Sequence, residues 1–101
     1  MSAAELLRGI RVVPVVVIDD AEQAVPLART LLEAGLGAIE VTLRTPAAMD
    51  AIRRIVNEVP DMITGAGSVR KAAQVAAIAD AGAHFGVSPG ASPALLDAVE
   101  E

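Results

Sequence analysis

Two charged side chains, Glu40 and Arg44, lie in a segment that otherwise has the pattern of a buried strand. Alternate residues of an extended chain face opposite sides, so these two share one side while Ile39, Val41 and Leu43 share the other. A parallel strand between helices is normally apolar on both sides. Four residues of extended chain separate the two charges by roughly 13 Å, too far for an ion pair. The pattern therefore predicts a ligand, a partner or a water-filled opening on the polar side.

The types of these two residues suggest what the opening could do. A carboxylate held at the edge of a core can act as a general acid or base, which makes Glu40 the candidate catalytic residue. Arg44 could bind a carboxylate or a phosphate through two parallel hydrogen bonds. In the structural alternative, Glu40 pairs with a donor on a neighbouring strand and Arg44 covers the edge of the sheet. The residues alone leave both interpretations open.

A second candidate segment is Gly65-Ala66-Gly67-Ser68, which is predicted to be a turn from a strand into a helix. Such a turn could offer backbone N–H groups and the Ser68 hydroxyl to an anion, although a tight turn without a ligand has the same composition. Arg70 stands where the dinucleotide-binding fingerprint requires its third glycine, which disfavours a Rossmann-like nucleotide binder. Ser88-Pro89-Gly90 is a weaker candidate of the same kind.

The elements that must position these residues follow a regular pattern of strands and helices after a short helix predicted at Ser2–Gly9. The predicted strands are Val12–Ile18, Ala38–Leu43, Met62–Thr64 and Phe85–Val87. The predicted helices are about Ala21–Ala34, Ala47–Val59, Arg70–Ala81 and Pro93–Glu100. Four strand–helix units predict an α/β fold with a parallel sheet, which is either an open sheet of the flavodoxin kind or half of a (β/α)8 barrel.

Prolines and capping residues refine this prediction. Pro14 is compatible with an edge strand or a bulge, and Pro26 inside the first long helix predicts an irregular start. Asp19 or Asp20 is expected to cap that helix, and Thr45-Pro46 to begin the next one.

Composition limits the possible functions. The 101 residues allow a single domain, and the formal charge of −5, without a basic run or an aromatic ladder, argues against nucleic-acid binding. The absence of cysteine and the single histidine, His84, argue against a metal-dependent mechanism, so no cofactor is expected. No segment has the pattern of a signal peptide or a membrane span, and a cytoplasmic protein is the expectation.

The chain resembles the N-terminal half of 2-keto-3-deoxy-6-phosphogluconate (KDPG) aldolase, also known as 4-hydroxy-2-oxoglutarate (KHG) aldolase. The motifs occur in the order of that family across nearly the whole chain, and they include both prolines discussed above. They are Val12-Val13-Pro14-Val15-Val16, Ala24-Val25-Pro26, Glu40-Val41-Thr42-Leu43-Arg44-Thr45, Gly65-Ala66-Gly67-Ser68-Val69 and Ser88-Pro89-Gly90.

The resemblance implies a class I aldolase on a (β/α)8 barrel, a homo-oligomer that cleaves a 2-keto-3-deoxy-6-phospho sugar acid to pyruvate and glyceraldehyde 3-phosphate. It implies that Glu40 is the general acid/base and that Arg44 binds the pyruvoyl carboxylate. Ser68 replaces a carboxylate-binding threonine and keeps its hydroxyl, and Pro89 lines the pocket.

In the family, the lysine that forms the Schiff base belongs to a later strand, and the only lysine here, Lys71, does not match its motif. Residues 1–101 are therefore expected to form one half-barrel domain, a fragment of the aldolase barrel without its nucleophile and inactive alone. Two other interpretations stay open: a scaffold that self-associates through exposed sheet edges, and one part of a split aldolase.

Overall fold

Four parallel strands and the helices between them form the part of the chain that the computed structural model describes, residues 9–10 and 12–87. The strands are β1 (Val15–Val16), β2 (Ala38–Thr42), β3 (Ile63–Gly67) and β4 (Phe85–Gly86). The helices are α1 (Ala24–Glu33), α2 (Ala48–Glu58) and α3 (Ala72–Asp80), and a 3-10 turn (Ala21–Gln23) precedes α1. The α/β prediction is confirmed. The helices predicted at Ser2–Gly9 and Pro93–Glu100 lie outside the described residues, apart from Gly9.

The order of the strands distinguishes the two predicted architectures. The sheet runs β1-β2-β3-β4, with every neighbouring pair parallel. In an open sheet of the flavodoxin kind, the second strand of the chain lies outside the first, which reverses the winding of the sheet. Sequential order without reversal is the arrangement of a (β/α)8 barrel. The described units therefore form an α/β half barrel, as predicted.

One face of this sheet, hereafter the helix face, carries the apolar core. Ile39 and Val41 of β2 and Ala66 of β3 are fully buried there, together with Ile52 and Ile55 of α2. The alternation of β2 and β3 directs these strand residues to one side, and the apolar stripe of α2 covers them. Burial of apolar surface on this face is the main stabilising contribution to the fold.

The start of α1 is irregular, as the position of Pro26 predicted. Asp20 caps the 3-10 turn, its carboxylate accepting a hydrogen bond of 3.0 Å from the N–H of Glu22. Pro26 is the third residue of α1. The N–H groups of the first helical turn have no partner within the helix, so the lack of an N–H at Pro26 costs no hydrogen bond.

The prediction for Thr45 as a helix cap is wrong. Ala47 is the N-cap of α2 and makes no capping bond through its side chain. The Thr45 hydroxyl instead donates to the carbonyl of Ile18, so it joins the loop after β2 to the end of β1.

The lengths of two strands also differ from prediction. β1 pairs with β2 only at Val15–Val16. The strand does not begin at Pro14 because this residue has no N–H and contributes just its carbonyl, which accepts from the N–H of Glu40 at 2.9 Å. The prediction that β3 ends at Thr64 is wrong, since Gly65, Ala66 and Gly67 continue the strand. Gly65, Ala66 and Gly67 are therefore part of the sheet rather than a turn, and Ser68 is the first residue after the strand. Within the described residues, no helix has the length and apolar character that crossing a bilayer requires.

Candidate active site at the end of β2

The second face of the sheet, hereafter the Glu40 face, is defined by one row of residues across all four strands. The register pairs Val15 with Glu40, Glu40 with Gly65, and Gly65 with Phe85. Paired residues point to the same side of a parallel sheet, and this side is opposite to the helix face. The Phe85 ring lies over Gly65, where any Cβ would overlap it. Phe85 thus supports the site from β4, while Val15 at the other edge is 60% exposed.

The Glu40 carboxylate has a defined place on this face. A Cβ at Gly67 would stand 2.9 Å from Cδ of Glu40 and 3.1 Å from its Cγ, distances at which one group must move. The glutamate side chain therefore leans across the backbone of β3 at Gly67, towards the carboxyl end of the sheet. Glu40 itself is half-buried, so it keeps access to solvent or to a ligand.

Arg44 and Ser68 lie just past the ends of β2 and β3. The N–H of Leu43 donates to the carbonyl of Gly67 at 2.8 Å, which holds the backbones that carry Arg44 and Ser68 next to each other. Arg44 is exposed and Ser68 is half-buried. Ser68 has a φ of 60°, a left-handed conformation that is uncommon for residues other than glycine and is found preferentially at functional sites.

The charges of this site are not used in ion pairs among the described residues. The pairs found there are Arg53–Asp80 and Arg54–Asp50, both between helical side chains. The site therefore combines a half-buried carboxylate, an exposed guanidinium and a hydroxyl at one edge of the sheet. This set can exchange a proton at one point of a small molecule while holding an anionic group at another.

Of the four predicted site residues, the structure gathers Glu40, Arg44 and Ser68 at the carboxyl ends of β2 and β3. Pro89 lies outside the described residues. Lys71 is exposed at the N-cap of α3. No group of three or more His, Asp or Glu side chains in the described part is arranged to hold a metal ion.

His84 makes two hydrogen bonds to Thr64, which gives it a structural position. Its backbone N–H donates to the carbonyl of Thr64 at 2.7 Å, and its Nδ1 accepts from the N–H of Thr64 at 2.9 Å. At the amino end of β4, the imidazole of His84 therefore accepts the hydrogen bond from Thr64 N–H that a backbone carbonyl of a neighbouring strand would otherwise accept.

Sequence reasoning missed the roles of two residues in the site. Gly67 provides the space for the Glu40 carboxylate, and Phe85 fills the space above Gly65. The available signal was the spacing of Gly65 and Gly67, because glycines two apart in a strand indicate a face that neighbouring side chains occupy.

Sequential parallel strands with charged residues at their carboxyl ends define the class of α/β barrel proteins whose sites lie at that end. Comparison with known proteins specifies the family. The family model for KDPG and KHG aldolase matches residues 3–101, and the chain belongs to this family.

Individual relatives support the same family. The chain is 55% identical to the 2-dehydro-3-deoxy-phosphogluconate aldolase of Pseudoalteromonas atlantica over 86% of this chain and 40% of the relative. It is 48% identical to the KHG/KDPG aldolase of Escherichia coli K12 over 99% of this chain and 47% of the relative. The chain thus spans less than half the length of these relatives.

A solved structure shows the same fold. The KDPG aldolase of Legionella pneumophila, captured with pyruvate as a covalent carbinolamine at low pH, is 43% identical to this chain. The two superpose with a TM-score of 0.84 over 88% of this chain and 43% of that protein.

Proposed function

We propose that this chain supplies the acid/base and carboxylate-binding part of a class I aldolase site. The reaction is the cleavage of 2-keto-3-deoxy-6-phosphogluconate, or of the related 4-hydroxy-2-oxoglutarate, with release of pyruvate. The observation that carries the proposal is the Glu40 carboxylate, half-buried and seated over Gly67 at the end of the sheet where barrel enzymes bind ligands.

Each residue has a distinct role in this proposal. Glu40 moves a proton to and from the reacting carbon skeleton, Arg44 binds the carboxylate of the pyruvoyl group, and the Ser68 hydroxyl donates to the same carboxylate. Pro89 lines the pocket. Support comes from the convergence of Glu40, Arg44 and Ser68 on one edge and from the membership of the family.

The nucleophile is the missing component. A Schiff base needs an amine inside the pocket, with its pKa lowered there, whereas the single lysine, Lys71, is exposed at the start of α3. We therefore propose that the chain forms no imine by itself and acts together with a segment that supplies the lysine. A location in the cytoplasm stays a prediction from the cysteine-free sequence.

Complementation tests this function. The chain is co-expressed with the part of the E. coli KHG/KDPG aldolase that it does not match, and pyruvate release from KDPG is followed with lactate dehydrogenase. We refer to this assembly as the complemented enzyme. We expect cleavage, and a fall in kcat of about 10²- to 10⁴-fold for Glu40→Gln, the range for loss of a general acid/base. Glu33→Gln, at the end of α1, is the matched control and should retain full activity.

Borohydride trapping tests the chain alone. After incubation with pyruvate and borohydride, the mass of the isolated chain should be unchanged. A pyruvate adduct on Lys71 would overturn the claim that the nucleophile comes from elsewhere.

A second candidate function is self-association of the half barrel. It is favoured by Val15 in β1, Val17 just after β1 and Val87 just after β4, which are 60%, 53% and 43% exposed. Unpaired edges with apolar residues are sites of association between chains. Sedimentation at micromolar concentration tests this alternative: a dimer that Val15→Lys dissociates supports it, and a monomer contradicts it.

A further inference from the structure

Thr42, the last residue of β2, has a hydroxyl with no hydrogen-bond partner among the described residues. The residue is 2% exposed, and its Oγ1 is buried. The three other threonines in the described part, Thr30, Thr45 and Thr64, each donate to a backbone carbonyl. Buried hydroxyls are nearly always paired, so an unpaired one is a candidate group for contact with a ligand or a water.

The position of Thr42 indicates where that partner would lie. Thr42 is two residues after Glu40, so alternation places it on the Glu40 face, and it pairs in register with Gly67. The Glu40 carboxylate leans over the same glycine. Thr42 and Glu40 therefore adjoin one backbone position that has no side chain, yet they make no hydrogen bond to each other.

The chemistry of the two groups defines which kind of atom could hydrogen-bond to both of them. An ionised carboxylate only accepts, and a threonine hydroxyl can donate. An oxygen that carries a proton satisfies both, because it donates to Glu40 and accepts from Thr42. A hydroxyl of the substrate and a water molecule share this chemistry.

We propose that Thr42 is a positioning residue for the oxygen that exchanges a proton with Glu40. This inference rests on the proposed aldolase function. As the O–H bond of that oxygen breaks, its proton passes to the carboxylate of Glu40, and the hydrogen bond from Thr42 holds the oxygen and stabilises its growing negative charge. In the reverse direction Glu40 returns the proton, so no oxidant or further reactant is involved.

Two substitutions separate the hydroxyl from the shape of the side chain. In the complemented enzyme, Thr42→Val keeps the volume and removes the donor, whereas Thr42→Ser keeps the donor. We expect Thr42→Val to lower kcat at least about tenfold with KM within about twofold, since the bond acts on an oxygen as it becomes charged. Thr42→Ser should stay within about threefold of the parent chain. Equal activity of Thr42→Val and the parent would overturn the proposal while leaving the aldolase function intact.

The source of the oxygen is resolved by a second reaction. The second reaction is the exchange of the pyruvate methyl protons with D₂O, which proton NMR measures. Its substrate, pyruvate, carries no hydroxyl group. A loss in cleavage alone supports a substrate hydroxyl, and an equal loss in exchange supports a water.

Failure of the complementation would count against the proposed function alone. Measurements on the isolated chain would still test the role of Thr42 in that case. If the Thr42 hydroxyl is idle without ligand, Thr42→Val should unfold in urea at the same midpoint as the parent chain or a higher one. A clear fall of the midpoint would overturn the proposal, because the hydroxyl would then stabilise the fold. NMR gives the second measurement. Addition of 4-hydroxy-2-oxoglutarate should shift the Thr42 methyl signal, and so should addition of pyruvate, where a water molecule supplies the bridging oxygen. If neither compound shifts the signal, the proposal is overturned.

Discussion

The two faces of the same sheet differ in what they contain. On the helix face, β2 and β3 present Ile39, Val41 and Ala66, all fully buried against α2. On the Glu40 face, the same strands present a carboxylate and two glycines, Gly65 and Gly67. The difference shows a division of labour within five-residue strands: alternate residues hold the fold together, and those between them form the site.

The largest loss of stability is expected from a cavity on the helix face. Ile52→Ala in α2 should lower the free energy of unfolding by about 2–5 kcal/mol, because it removes buried methyl groups and leaves a void under β2. Urea unfolding followed by circular dichroism measures the change. Glu40→Gln is the control from the opposite face and should stay within about 0.5 kcal/mol of the parent chain. An equal loss for both substitutions would show that the two faces contribute equally to stability.

The two glycines of the Glu40 face should themselves differ. Gly65→Ala places a methyl group against the rigid, buried ring of Phe85 and should cost about 1–3 kcal/mol of unfolding free energy by overpacking. Urea unfolding of the double variant Gly65→Ala with Phe85→Leu tests the cause, since the smaller side chain should recover part of the loss. Additive losses would contradict the contact.

Gly67→Ala should have a smaller effect on stability than Gly65→Ala. Here the methyl group meets the mobile end of Glu40, which can move away, so the loss of unfolding free energy should be below about 1.5 kcal/mol. The displaced carboxylate should nevertheless lower kcat of the complemented enzyme about tenfold or more. Full activity in Gly67→Ala would mean that the position of Glu40 over β3 is unimportant.

A smaller effect is expected where an imidazole pairs with the backbone. His84→Ala removes the acceptor for the N–H of Thr64 and should cost about 1 kcal/mol. His84→Asn offers a side-chain oxygen at a similar reach and is the matched control in urea unfolding. Equal losses for alanine and asparagine would assign the effect to something other than this hydrogen bond.

The smallest effect concerns the backbone of Ser68. Because its φ is 60°, Ser68→Gly should be more stable than Ser68→Ala by about 0.5–1 kcal/mol, although both lack the hydroxyl. The difference between the two urea midpoints measures the strain. Both variants should lose affinity for pyruvate to a similar extent. A loss confined to one of them would show that affinity depends on the backbone conformation at position 68 rather than on the hydroxyl.

Much of the fold followed from the periodicity of the sequence. Strand β2 and the charges on its polar side were predicted from the alternation between Ile39 and Arg44, and Pro26 correctly indicated an irregular start to α1. These features depend on neighbours in the chain. The order of the strands was left with two alternatives, because the winding of a sheet depends on contacts between distant units.

The errors have the same origin. Gly65-Ala66-Gly67 was interpreted as a turn because glycine disfavours strands, whereas Phe85 and Glu40 from the neighbouring strands occupy the space that side chains would take. Thr45 was interpreted as a helix cap, but its hydroxyl reaches a carbonyl 27 residues away. Local propensity could not indicate either contact, since both form only when the sheet is assembled.

The bond from the Thr45 hydroxyl to the carbonyl of Ile18 has a consequence for ligand binding. It fastens the loop that follows β2 to the end of β1, so the backbone beside Arg44 is fixed before any ligand arrives. Ordering a free loop would subtract from the affinity, and a loop that is already ordered avoids that entropic loss. In the proposed function, the long side chain of Arg44 is then the main group that must still be ordered when a small anion binds at this edge.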